Sequence, residues 1–70
     1  MEYNIGEEIK KEVESQVYSV ESFARRLGCT KATVYNLFNG GNKISLERLE
    51  SVSRVLRRNF IEEYGKSLGI

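Results

Sequence analysis

Between Phe23 and Phe38 the chain reads FARRLGCTKATVYNLF, two apolar stripes at helical spacing on either side of a single glycine. Phe23, Ala24 and Leu27 form the first stripe, and Val34, Leu37 and Phe38 the second. Gly28 follows Leu27 at once and suits a left-handed residue, because it carries no Cβ to clash there. Thr30 then caps a new helix expected from about Lys31 to Phe38. Two short helices joined by so tight a turn must lie on one another. Ala24 is small where the next helix crosses close above it, Val34 and Leu37 lock the second helix onto the first, and Phe23 and Leu27 anchor the first to the core. Each residue alone is a weak signal, and the combination at these offsets is fairly specific.

The rest of the chain is also helical in pattern. Asn4 followed three residues later by Glu7 resembles a capping box. Ile5, Ile9 and Val13 then recur every four residues, giving a first helix from about Ile5 to Gln16. Glu7 and Glu8 fall at the positive end of its dipole. Ser19 is the expected N-cap of the second helix, with Glu21 in its first turn. Asn39-Gly40-Gly41 ends the third helix and opens a loop. Ser45 is a simple N-cap for a fourth helix with Leu46, Leu49, Val52, Val55 and Leu56 on its apolar face. Phe60, Ile61, Tyr64 and Leu68 suggest a short fifth helix. No window alternates as a strand would, so the expected class is all-α, a compact bundle of four or five helices.

Seventy residues allow one domain, expected over 1–70 with its core at about 5–58 and a C-terminal helix or tail at 59–70. Hydrophobic residues make up 40% and charged residues 30%, which is a globular balance. No apolar run approaches the roughly 20 residues of a membrane span. The acidic start has no apolar core of a secretory signal, so a soluble, reducing, cytoplasmic setting is expected. With one cysteine, Cys29, and no histidine, neither an internal disulfide nor a zinc site is expected. No nucleophile stands beside a base and no glycine loop has phosphate-cradling spacing, so neither an enzyme nor a cofactor is indicated. The net charge of +1 is uninformative, but its distribution is not. Residues 1–21 carry six glutamates against two lysines, whereas residues 22–46 carry Arg25, Arg26, Lys31 and Lys43 and no acid. A localised basic stretch says more about partners than the whole-chain balance.

At this point the chain resembles the phage-repressor-like helix-turn-helix domains, the Cro/cI-type or Xre group. SVESFARRLGCTKATVYNLFNG looks like the family's central motif, and ISLERLESVSRVL looks like its following helix. The resemblance covers about residues 5–58 and implies a lambda-repressor-like fold. It also implies sequence-specific binding of double-stranded DNA in transcription control, often as a homodimer, by a regulator such as a repressor or the antitoxin of a toxin–antitoxin pair. Two positions depart from the family pattern. Val20 stands where the family often has a backbone-contacting glutamine, so that bond is either missing or supplied by Ser19. Gly41-Asn42-Lys43 replaces a loop often carrying proline or arginine, with Lys43 as the substitute.

Carried over by position, the resemblance places Lys31, Ala32 and Asn36 at base edges and Ser19, Thr30, Tyr35, Asn39 and Lys43 at the DNA backbone. The chemistry agrees for most of them. Lysine donates to guanine O6 or N7, asparagine pairs with adenine N6 and N7, and an alanine methyl can touch that of thymine. Thr30 and the free amides at the helix start suit a phosphate. Each position has a plainer reading too: Thr30 as a simple cap, Tyr35 as packing against the preceding helix, and Lys31, Asn36, Arg25 and Arg26 as solvated surface. The stripe at Phe60, Ile61 and Tyr64 either folds back on the domain or pairs with a second copy. The alternative function is a helical protein–protein interaction module that keeps the fold without DNA binding.

Overall fold

In a computed structural model, which describes residues 3–16 and 18–67, the chain forms five helices. They are α1 (Ile5–Ser15), α2 (Val20–Leu27), α3 (Lys31–Asn39), α4 (Leu46–Leu56) and α5 (Phe60–Ser67). No strand occurs among the described residues. The expected all-α class and helix order hold, with boundaries displaced by one residue at α1 and α3. No helix among the described residues is long and apolar enough to cross a membrane.

Local chemistry sets most helix starts. The side chains of Asn4, Ser19, Thr30 and Ser45 each accept a hydrogen bond from the backbone amide three residues on. Such caps satisfy amides that have no partner inside the helix, and each is worth about 1 kcal/mol. The reciprocal box lies at Ser19 and Ser22, where the Ser22 hydroxyl accepts from the Ser19 amide at 3.2 Å. At Asn4 only the Asn4 half of the expected box is present among the described hydrogen bonds. The ends of α2 and α4 are both left-handed, with Gly28 at φ 78° and Arg57 at φ 55°.

One core draws on all five helices. Ile5, Ile9 and Val13 meet Phe23, Ala24, Val34, Phe38, Leu49, Val52, Leu56 and Phe60. Leu27, Leu37 and Val55, expected to point inward, are only partly buried and pack around its rim, and Leu46, expected on the apolar face of α4, is exposed at the first turn of that helix. For Phe60 the fold decides between the two readings of the C-terminal stripe: it folds back and is fully buried in the core of its own chain, which corrects its place among the residues offered for a homodimer contact. The left-handed turn at Arg57 brings the ring back into the common core, and burying it is worth roughly 1.5–3 kcal/mol. Tyr64 packs partly against the same core and Ile61 remains exposed, while Leu68 lies outside the described residues.

Two features tie the first helix to the rest. A Cβ on Gly6 would stand 2.7 Å from the carbonyl oxygens of Leu37 and Phe38, so only glycine lets α1 approach the end of α3 so closely. Arg58, in the corner between α4 and α5, reaches three carboxylates. It donates to Glu63 at 2.6 and 2.7 Å, to Glu12 at 2.9 Å and to Glu8 at 3.1 Å, with its guanidinium 4.7 Å from the centre of the Phe60 ring. The Arg58 bonds hold the Glu63 carboxyl below the usual range, and Glu12 is lowered by hydrogen bonds from Gln16 and then Arg58.

Candidate nucleic-acid interface

Three residues, Gly28, Cys29 and Thr30, separate α2 from α3. The Gly28 amide donates to Arg25 O at 3.2 Å and the Cys29 amide to Ala24 O at 2.9 Å, so the turn satisfies carbonyls that α2 leaves free. Thr30 then caps α3 through the Thr33 amide at 3.3 Å. Ala24 and Val34 are both buried. A small residue on α2 and a β-branched one on α3 thereby fix the second helix against the first.

This packing decides what α3 shows outside. Val34 and Phe38 take the inner side, and Lys31, Ala32, Tyr35, Asn36 and Asn39 are all exposed along the opposite side. Ser19, Thr30 and Lys43 are exposed as well. All eight residues expected at DNA are therefore accessible. Tyr35 is 51% exposed and meets Phe38 edge-on, with ring centroids 6.4 Å apart, so its body rests on its own helix. Ser19, Val20, Tyr35 and Asn39 also line a common groove of about 410 Å³ between α1, α2 and α3, which Lys10 and Val13 help to line.

The charges differ in how they are held. Among the described residues, neither Lys31 nor Lys43 has a carboxylate within salt-bridge distance. Arg25 lies 4.0 Å from Glu21, both largely exposed, and Arg26 stacks 5.4 Å over the Tyr18 ring. The third-helix lysine and the loop lysine are thus basic groups left open to an anionic partner, as are Lys10, Arg54 and Arg57 elsewhere on the surface.

The loop after α3 is more firmly held than its sequence suggests. Gly41 takes φ 61°, and the Lys43 amide donates to Gly40 O at 3.0 Å to close a tight turn. The Asn42 Oδ1 accepts from the Ile5 amide at 2.8 Å, and its Nδ2 donates to Tyr3 O at 3.0 Å. Gly41 O accepts from the Gly6 amide at 3.1 Å. Asn42 was invisible as a site residue because its partners are 37 and 39 positions away; the only local hint was an asparagine beside two glycines.

Comparison with known proteins agrees with this geometry. A family model described as Helix-turn-helix matches residues 9–62. Among solved structures, the chain is similar to that of the master regulator for biofilm formation SinR in complex with DNA. The two are 31% identical, the match covers 77% of this chain and 87% of that one, and the TM-score is 0.69. No curated protein sequence matches.

Proposed function

Because the chain belongs to the Cro/cI-type helix-turn-helix family, we propose that it binds double-stranded DNA sequence-specifically as a transcriptional regulator of the repressor kind. In this reading α3 enters the major groove, whose width admits an α-helix. Lys31, Ala32 and Asn36 read base edges, and Ser19, Thr30, Tyr35, Asn39 and Lys43 meet the backbone. The observation that carries it is the outer side of α3, where polar and basic groups stand exposed on a helix fixed from behind by Val34 and Phe38. The solved relative in complex with DNA supports the same partner. The protein acts by binding, with no catalytic step, in the cytoplasm. A homodimer, with Ile61 as the exposed apolar residue of α5, would give a two-fold-symmetric target.

A fluorescence-anisotropy titration against a labelled duplex at several salt concentrations tests this. Neutralising about four phosphates per subunit gives a log–log slope of affinity on salt near −3.6 per subunit. Absence of binding to any duplex at low salt would instead support the protein-interaction module.

A further inference from the structure

We infer that Asn42 is a positioning residue for DNA binding: it clamps the loop after α3 to the start of α1, and so holds Lys43 where it meets a phosphate. The inference rests on the DNA-binding reading and adds to it a residue that itself touches no DNA. Both ends of the Asn42 amide point back into the protein, to the Ile5 amide and the Tyr3 carbonyl. The adjoining Gly41 carbonyl takes the Gly6 amide, and the Tyr64 hydroxyl lies 3.5 Å from Asn42 O. The first two amides of α1 are thus satisfied by this loop, and the third by Asn4. A helix start has no internal partners for these donors, so moving the loop would leave them unpaired. Lys43 is the next residue along, exposed and held in the turn by its own amide. A lysine on a free loop would lose side-chain and backbone freedom on meeting a phosphate, whereas here the backbone part is already fixed.

A simple cap of α1 would also use Asn42, and the two roles separate in a double-mutant cycle. Wild type, Asn42→Ala, Lys43→Ala and the double variant are titrated by anisotropy with a mixed-sequence duplex of about twenty base pairs, long enough for two half-sites. Measurements are made well below the thermal midpoint of each variant, with circular dichroism confirming the fold. Asn42→Ala is expected to weaken binding about 3- to 10-fold for all sequences alike and to reduce the salt slope by up to about 0.9 per subunit, as Lys43→Ala does. Adding Asn42→Ala to Lys43→Ala should then change affinity by less than about 2-fold. Should Asn42→Ala not fold, the neutral Asn42→Ser, which keeps one acceptor, enters the same cycle with a smaller effect of the same pattern. A lowered thermal midpoint with unchanged affinity and slope would overturn the inference, as would an undiminished loss in the Lys43→Ala background. If the wild type itself shows no salt-dependent binding, the DNA reading fails and this inference with it. Wild-type binding with an additive or silent Asn42 variant overturns the inference alone.

Discussion

Arg58 and Lys31 carry the same formal charge in opposite circumstances. Arg58 donates to Glu8, Glu12 and Glu63 and joins α1, α4 and α5. Lys31 stands exposed at the start of α3 with no described acid in reach. The acidic N-terminal segment and the basic middle are therefore not two halves of one electrostatic surface. Part of the acidity is neutralised internally by a single arginine, and the basic groups of α3 and its loop remain open to a partner. A partner-facing patch is found by setting aside the charges that the fold already engages.

The most forceful way to break this contrast is to remove Arg58. Arg58→Ala leaves three clustered carboxylates facing one another and is expected to cost about 2–4 kcal/mol of stability, measured by urea unfolding. An equally costly Lys31→Ala would abolish the distinction. Lys31→Ala or Asn36→Ala should instead alter stability by less than about 0.5 kcal/mol and lose roughly 1–3 kcal/mol of discrimination between target and non-target duplexes. Lys43→Ala should weaken all sequences equally, which competition titrations would show.

The pH dependence of unfolding sharpens the same point. Glu12 and Glu63 are lowered in the folded chain, so the stability they contribute is present above their unfolded pKa values. It should fall as pH drops below about 4, where the carboxylates protonate. The Tyr3 phenol, which donates to Glu63 at 3.3 Å, moves the other way, pushed up to about 12 by burial and by the Glu63 charge. Its contribution is complete below the unfolded value near 10 and should be lost as pH rises from about 10 to 12. In Arg58→Ala the acid limb should shrink, as followed by thermal melts across pH. The smallest expected effect is at Arg57, an exposed base outside the proposed interface with φ 55°. Arg57→Gly should raise stability by about 0.5–1 kcal/mol with DNA affinity unchanged.

The contrast also separates what was legible in the sequence from what was not. The α2–α3 unit could be read because its determinants are local: a cap at Ser19, a glycine at 28, a cap at Thr30 and apolar residues at helical spacing. The exposed side of α3 followed from the same period. The cap at Ser19 is legible, but its reciprocal partner Ser22 is not, since a capping box ordinarily carries glutamate or glutamine at that position. Arg58 and Asn42 gave no comparable signal, since Glu8 and Glu12 lie 50 and 46 positions from Arg58 and only the finished fold brings them together. The role of Phe60 stays open in the sequence, because an apolar stripe beyond the family's core helices has the same pattern whether it folds back or meets a second copy. Gly6 carries no local mark of the close approach of α3 that requires it.

The most direct test is selection of bound duplexes from a random pool with the wild-type chain. The expected result is an enriched sequence, with two-fold symmetry if the protein acts as a dimer, bound more tightly than the starting pool. A pool that stays unenriched at low salt, with the chain shown to be folded, would contradict the assignment of α3 as a reader of DNA.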